Sequence, residues 1–179
     1  MLNVTIAGNL SHGSGGGVSC FNASELNLKN VTISDNSSEY GGGIYSSESN
    51  LTMTNSISWS NTPQEILFES WNIPSSISIE YSDIRGGETG IIAEGNGMTG
   101  WSEGNMDVHP AFVNPSVPDY RLQSVSPCID AGNPATEYND KDGARNDMGA
   151  YGGPGGESYA YEDGPRNFRR QASPESAGC

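Results

Sequence analysis

The sequence predicts an all-β fold, a parallel β-helix (solenoid) of about four coils, and three observations support this prediction. The first is a repeat: Asn-Val-Thr-Ile-Ala-Gly-Asn at 3–9 returns as Asn-Val-Thr-Ile-Ser-Asp-Asn at 30–36 and, in degraded form, at 55–61. Successive copies are 27 and 25 residues apart, a period typical of solenoids. The second is a period-two alternation of Val, Ile, Leu and Thr between Gly and Asn clusters, and the third is the lack of an apolar run at helical spacing. Each repeat is therefore predicted to be one coil of short strands.

Residues 1–92 are assigned to the coils of the β-helix. Asn9, Asn36 and Asn61 occupy the same position in successive copies, so their amides are predicted to stack and hydrogen-bond at one corner. The Gly triplets at 15–17 and 41–43 permit tight turns with positive φ. The apolar residues predicted to line or approach the interior are Val4, Ile6, Leu26, Leu28, Val31, Ile33, Ile44, Leu51, Met53 and Ile57.

The pattern changes beyond the coils. Residues 93–156, in which Gly, Asn and Pro surround isolated aromatic residues, are predicted to form a loop-rich C-terminal cap folded over the end of the stack. Within this cap, residues 126–151 are predicted to close the fold, with Ile129 and Tyr151 packed on the last coil. Residues 157–179, which are interrupted by Pro and Gly, are predicted to be a flexible tail. The carboxylates predicted to accept backbone amides in the closure are Asp130, Asp142 and Asp147.

Composition and charge exclude some partners. A net charge of −14, from 22 acidic and 8 basic side chains, argues against binding to nucleic acid, whose phosphates would be repelled. No apolar stretch approaches the ~20 residues of a membrane-spanning helix. Cys20 and Cys128 are interpreted as small buried residues, with a disulfide as the alternative. Met1 and Leu2 lead directly into a predicted strand, so we expect upstream coils if the chain is a fragment.

Several short motifs follow the repeats. They are Tyr81-Ser82-Asp83-Ile84 with Gly86-Gly87, the segment from Gly104 to Val113, Asp119-Tyr120-Arg121-Leu122, Ser126-Pro127-Cys128-Ile129-Asp130-Ala131-Gly132, and Asp147-Met148-Gly149-Ala150-Tyr151. Together with the upstream Asn-x-Thr-Ile and Gly-Gly-Gly-Ile copies, they resemble the C-terminal portion of secreted bacterial right-handed parallel β-helix proteins. These belong to the pectate-lyase-like superfamily, in its choice-of-anchor branch. The resemblance implies a right-handed coil and an extracellular or cell-surface location.

Catalytic motifs of polysaccharide-cleaving β-helix enzymes are not intact in this sequence. Acid and base catalysis on a glycosidic bond uses a carboxylate pair, and an acidic substrate also needs bases that hold its carboxylate. The sequence has no Asp-Asp pair and no Arg-x-Lys, and the coils contain only Lys29 and Arg85 as bases. Asp35 and Asp83 are interpreted as solvated corner acids. We therefore expect a non-catalytic extracellular module with a structural or a glycan- or surface-binding role. The alternative is a polysaccharide lyase or glycoside hydrolase acting on an acidic polysaccharide.

Candidate binding residues are aromatic side chains that could stack on sugar rings, together with one base of the coils. These are Trp71, Trp101, Tyr40, Tyr45 and Arg85. Trp59 is expected to be partly buried instead. The densest acidic group, Asp140, Asp142 and Asp147, resembles a hard-cation loop but fails the EF-hand spacing, so no cofactor is expected and Ca²⁺ is the alternative. Any ligand is expected to be a polysaccharide or a cell-surface glycan.

Overall fold

The computed structural model describes residues 1–70, 72–95, 97–157 and 159, and it shows a parallel β-solenoid of about four turns. The strands are β1 Leu2–Ala7, β2 Val18–Cys20, β3 Glu25–Ser34, β4 Ile44–Ser47, β5 Asn50–Thr54, β6 Ile57–Trp59, β7 Ile66–Ser70, β8 Ser76–Glu80, β9 Asp83–Ile84, β10 Ile91–Gly95, β11 Met98–Trp101, β12 Phe112–Asn114 and β13 Asp119–Leu122. Coil 1 contains β1 and β2, coil 2 contains β3 and β4, coil 3 contains β5, β6 and β7, and coil 4 contains β8, β9 and β10. Two short 3-10 turns, Gly87–Gly90 and Thr136–Tyr138, are the helical elements of the described residues.

Two parallel sheets run along the stack. The seven-stranded sheet has the order β11-β8-β5-β3-β6-β9, with β1 on β3, and the four-stranded sheet has the order β10-β7-β4-β2. The registers repeat the sequence period, since Leu2 pairs with Lys29 and Lys29 pairs with Thr54. The predicted fold class is confirmed.

The solenoid interior consists of apolar columns, in which equivalent residues of successive coils lie on top of one another. Leu28 aligns with Met53 and Ile79, and Ile44 aligns with Ile66, all of them nearly inaccessible to solvent. Nine of the ten predicted interior residues fit this core or its open first coil, where Val4 and Ile6 remain partly exposed. Ile57 was predicted wrongly: it points to the other side of the sheet and lies in a second hydrophobic cluster.

The corner asparagines form the predicted ladder. The Asn36 Oδ1 atom accepts hydrogen bonds from Asn9 N at 3.0 Å and Asn9 Nδ2 at 2.9 Å. The Asn61 Oδ1 atom accepts the same two bonds from Asn36, at 3.0 and 2.9 Å. Glu65 ends the ladder, because its carboxylate accepts the corresponding N–H and Nδ2–H bonds of Asn61. The prediction that the corner asparagines stack is confirmed. The side-chain oxygens of Asn36 and Asn61 each accept two hydrogen bonds from the asparagine of the preceding coil.

The second hydrophobic cluster lies between the solenoid and residues 109–157, which we call the return segment. Ile57 and Tyr81 of the coils pack there against Phe112, Leu122 and Met148 of the return segment. Hairpin β12–β13 contributes two of these side chains. Without the return segment, the apolar side chains that point outward from the coils, such as Ile57, would be exposed to water. Burial of this apolar surface stabilises the position of the return segment along the side of the stack.

The residues of the predicted cap, 93–156, lie in two different places in the structure. Residues 98–108 do add to the end of the stack, since β11 pairs with β8 and Met106 bridges to Asp83. The return segment instead runs back to coil 1, where Asn3 Nδ2 donates to Ala150 O at 3.0 Å. Tyr151 therefore does not pack on the last coil as predicted, and it lies beside Asn3 and Thr5. The predicted boundary at residue 92 falls within β10.

Asparagine residues at a bend in the large sheet hold the return segment in place. Asn3, Asn30 and Asn55 each have a positive φ near 50°, a conformation that Asn tolerates better than most residues. Asn30 Nδ2 donates to Asn146 Oδ1 at 3.0 Å and to Asp147 O at 3.1 Å. The Asn55 side-chain oxygen accepts the N–H of residue 133 at 2.7 Å. The leading Asn of each repeat thus fixes the bend and binds the return segment.

Candidate functional site

One corner of the solenoid carries an open, polar groove of about 400 Å³. Residues 61–65, which follow β6 in coil 3, form one wall. Residues that follow β9 in coil 4 form the other wall: Arg85, Gly86, Gly90 and Ile92. The coil stacking sets the geometry of this groove, because the Arg85 N–H donates to Ser58 O at 3.1 Å and fixes the start of the second wall.

Arg85 supplies the positive charge of the groove. Its side chain is exposed, and no hydrogen bond or salt bridge joins its guanidinium group to the described residues. Lys29, the other base of the coils, instead lies 4.0 Å from the centre of the Tyr138 ring. Arg121 forms a salt bridge with Asp119, and Arg145 donates to the backbone oxygen of Gly132. Arg85 is therefore the coil cation that is placed to meet a ligand.

Glu65 is the buried carboxyl residue of the groove wall in coil 3, and no sequence motif points to it. Its side chain is 5% exposed, and it accepts bonds from Asn61 and from Ser58 Oγ at 3.0 Å. Burial raises the pKa of this carboxyl group, while the bonds from Asn61 and Ser58 and the charge of Arg85 oppose that rise. The groove thus combines a buried carboxyl group with an exposed guanidinium group.

Tyr40 lies on the same side of the solenoid as the groove. It belongs to coil 2, whereas the groove is formed by coils 3 and 4. Tyr40 is 52% exposed, and its role as a stacking residue stays a prediction. The connection to the groove passes through Gln64, whose Oε1 atom accepts the N–H of Gly41 at 3.0 Å and which also lines the groove. Tyr40 and Arg85 could therefore contact one extended ligand that crosses successive coils.

The other predicted aromatic residues are differently placed. Tyr45 is only 7% exposed, its hydroxyl group donates to Glu69 at 2.8 Å, and Phe21 packs on its ring, so it is not open to a ligand in the predicted way. Trp101 packs against the solenoid core from the last strand of the stack. Trp59 is partly buried beside His109, as predicted. Trp71 lies outside the described residues.

The predicted cation loop forms a different acidic cluster. Ligand atoms of Asp130, Asp140 and Asp147 all lie within 4.8 Å of one another, whereas Asp142 accepts the N–H of Ala144 at 3.1 Å. Asp140 Oδ1 accepts backbone N–H groups from residues 147 and 153, and Asp147 Oδ1 accepts that of Asp130. The amide-accepting role predicted for Asp142 and Asp147 is confirmed. The carboxylates connect distant parts of the return segment to one another.

Asp83 is the most perturbed acid of the coils, and its interpretation as a solvated corner acid was wrong. Its side chain is fully buried, with Oδ1 accepting the Val108 N–H at 3.1 Å and Oδ2 accepting the Cys128 thiol at 3.3 Å. Burial raises the pKa of Asp83 to about 7, and the nearby charges of Asp107 and Glu65 act in the same direction. Burial and the Asp83 charge also raise the pKa of the Cys128 thiol. Cys20 and Cys128 are both buried and not disulfide-bonded, as expected.

Comparison with known proteins gives one match, which covers a short part of the chain. The architecture is that of a parallel β-solenoid protein. The family model of the Chlamydia polymorphic membrane protein (Chlamydia_PMP) repeat matches residues 30–47. This stretch includes Asn36 of the ladder, the Gly triplet at 41–43 and strand β4. No curated protein and no solved structure gives a significant match to the chain.

The matched residues lie in coil 2. The resemblance to the choice-of-anchor branch stays a prediction. Within the residues that the structure describes, no helix has both the length and the apolar character needed to cross a membrane.

Proposed function

We propose that this chain is a non-catalytic module of a surface-exposed β-solenoid protein, and that its corner groove binds a polar glycan. The carrying observation is the groove itself, with an exposed Arg85 whose guanidinium group forms no hydrogen bond or salt bridge with the described residues, and with Tyr40 on the same side of the stack. The similarity of residues 30–47 to a repeat of a membrane-associated protein family supports a surface location.

The chemistry of the groove favours an acidic sugar over a neutral one. A guanidinium group donates in a fork that matches a carboxylate, and an exposed tyrosine ring offers an apolar face for a pyranose. The chain has a net charge of −14, so Arg85 would be a local attractive site on an otherwise repulsive surface. We therefore expect binding to be selective for an acidic polymer whose carboxylates can reach this corner.

Acid and base catalysis is a less suitable role for the same groove. The Glu65 carboxylate is occupied by Asn61 and Ser58, and its role at the end of the ladder is structural. Cleavage requires an acid and a base within hydrogen-bond reach of one scissile bond. Arg85 has a suitable position for holding a ligand, and this is the function that we assign to it.

Incubation of the full chain with a panel of uronate-containing and neutral polysaccharides tests this proposal. Binding is measured by pull-down and calorimetry, and turnover by reducing ends and by the ultraviolet absorbance of unsaturated products. We expect retention on an acidic polymer without turnover, and a loss of about tenfold in affinity for Arg85→Gln, which corresponds to about 1.4 kcal/mol. Turnover that is lost in Arg85→Gln would instead establish the lyase or hydrolase alternative.

Two variants serve as controls. Lys141→Gln removes an exposed positive charge from the return segment, so it should leave the affinity unchanged. Tyr40→Ala should weaken binding less than Arg85→Gln, since stacking on one ring contributes about 1 kcal/mol. Equal losses for Arg85→Gln and Lys141→Gln would indicate that net charge alone governs retention and would contradict a site in the groove.

A further inference from the structure

Coil 1 presents an open edge at the end of the stack opposite β11. Strand β1 pairs with β3 and β2 pairs with β4, and within the described residues neither has a strand on its other side. In a parallel sheet, successive residues direct their N–H and C=O groups to opposite neighbours. Part of the backbone of β1 and β2 therefore faces away from coil 2, ready to pair with one more strand.

Apolar side chains accompany this open edge. Met1, Leu2, Leu10 and Phe21 are 51%, 56%, 70% and 46% exposed. Val4 and Ile6 are only partly buried, although their partners in coil 2, Val31 and Ile33, are 0% exposed. The interior columns of the solenoid thus reach coil 1 without being closed there.

The asparagine ladder also ends with an unused acceptor. In coils 2 and 3, the side-chain oxygen of the corner asparagine accepts two hydrogen bonds from the preceding coil, as described for Asn36 and Asn61. Asn9 donates to Asn36 in the same way, but no described residue donates to Asn9 Oδ1. A corner asparagine on one more coil would complete the series with the same geometry.

The edge also lacks the charged side chains that ordinarily prevent strands from pairing. Residues 1–24 contain no Asp, Glu, Lys, Arg or Pro, although the chain has 22 acidic side chains. Natural sheets protect their edges with charges, prolines or covering loops. The opposite end of the stack has such charges, since Glu94 belongs to β10 and Glu88 and Glu103 lie nearby.

We infer that the edge formed by β1 and β2 is a docking surface for one more β-coil of the same repeat type. The docked coil would be parallel, poor in charge and equipped with a corner asparagine that donates to Asn9 Oδ1. This surface is separate from the glycan groove and does not depend on it. Continuity with the interface between coils 1 and 2 defines the register, because Leu2 pairs with Lys29.

A second copy of the chain fits this surface less well. The register of Ser58 with Ile84 places Gly87 of coil 4 at the corner position of Asn61, so the far end of a copy offers no donor amide to Asn9. Each copy would also carry a net charge of −14. The docked coil should therefore resemble coils 1 and 2 in its corner asparagine and coil 1 in its lack of charge. A second copy of the chain, docked head to tail, is not the proposed occupant.

Duplication of coil 1 tests the inference. Leu2 pairs with the residue 27 positions later, so a copy of residues 1–27 fused directly before Met1 places its own corner asparagine above Asn9. We expect a rise in Tm of about 5 °C or more relative to the unmodified chain. We also expect slower hydrogen exchange of the β1 amides. The matched control is the same fusion with the order of its added residues scrambled, which should change neither quantity.

Two results would overturn the inference. One is free hydrogen exchange of the backbone amides of the duplicated coil, together with a Tm of the duplicated chain that equals or falls below the Tm of the scrambled fusion. The other concerns the unmodified chain, which we expect to sediment as a monomer. A dimer that is abolished by the double substitution Leu2→Lys and Leu10→Lys, but not by Val125→Lys at a comparably exposed distant position, would identify a second copy as the occupant.

Discussion

The coils and the return segment bury similar kinds of side chains but are stabilised in different ways. In the coils, each side chain meets its own equivalents one period away, as in the Leu28, Met53 and Ile79 column. In the return segment, the decisive contacts join residues more than a hundred positions apart, such as Asn30 with Asn146. The comparison shows that a repeat supplies its own partners, whereas a covering segment depends on individual bonds. Perturbations of the two regions should therefore differ in extent.

The largest effect is expected for Asn36→Ala in the middle of the ladder. The substitution removes four hydrogen bonds in a buried corner, including one from Asn36 Nδ2 to Ile6 O at 2.9 Å. The partners in coil 1 lose these bonds altogether, whereas Asn61 Oδ1 in coil 3 keeps the bond from the backbone N–H of residue 36. We expect a loss of about 4 kcal/mol in the free energy of unfolding, measured with denaturant. Asn9→Ala, at the exposed end of the ladder, should cost only about 1 kcal/mol. Similar costs at both positions would contradict a cooperative ladder.

A smaller and more local effect is expected for Gly149→Ala in the return segment. Gly149 has a φ of 93°, and a Cβ atom there would lie 2.8 Å from Thr32 Oγ1 and 3.0 Å from Ile57 Cδ1. We expect about 3 kcal/mol of destabilisation, combining backbone strain with the clash. Proteolysis should begin in the return segment while the coils remain protected.

The control for this clash is Gly143→Ala. Gly143 has a similar φ of 83°, but a Cβ atom there meets nothing within 4 Å. Its cost should be about 1 kcal/mol, from backbone strain alone. If both substitutions release the return segment equally, the contact of Gly149 with the coils is not what holds that segment.

Asp83, which contacts Cys128 of the return segment, should make the free energy of unfolding depend on pH. The pKa of this carboxyl group is about 7 in the folded state, above its usual 3.8, so the folded state binds more protons between these values. Stability should therefore fall as the pH rises from 5 to 8, by roughly 2 kcal/mol from this group. Denaturant unfolding at several pH values measures the slope, and Asp83→Asn should flatten it. The buried Glu65, whose pKa is also raised, contributes a slope of the same sign that the variant retains.

The smallest effect is expected from calcium. The carboxylates of Asp140 and Asp147 already accept backbone N–H groups within the return segment, so we expect EDTA and added Ca²⁺ to leave the Tm unchanged. A bound ion at 100 times its dissociation constant would add about 2.7 kcal/mol. A Tm rise with Ca²⁺ that is absent in Asp140→Asn would establish the cation alternative.

The candidate site was partly accessible to sequence reasoning. Arg85 and Tyr40 were identified because a base is rare in the coils and because Tyr40 flanks a Gly turn. Glu65 was missed, since it replaces a ladder asparagine at a position that does not follow the repeat. Asp130 was missed as a member of the acidic cluster because it lies ten residues before Asp140 and only folding brings the two together. The recess that contains Arg85 also depends on how coils 3 and 4 stack.

The sequence by itself determined the solenoid, its period, its apolar columns and the asparagine corner. These features repeat, and a residue that repeats every 25 to 27 positions meets its equivalent when the strands stack. Only the tertiary structure decided that the return segment lies along the side of the stack and reaches coil 1. It also decided that Ile57 packs against this segment and that buried Asp83 contacts its Cys128. The physical reason is that these contacts occur once and join residues far apart in the chain. No period or local propensity specifies them, and they form because outward apolar and amide groups of the coils require partners.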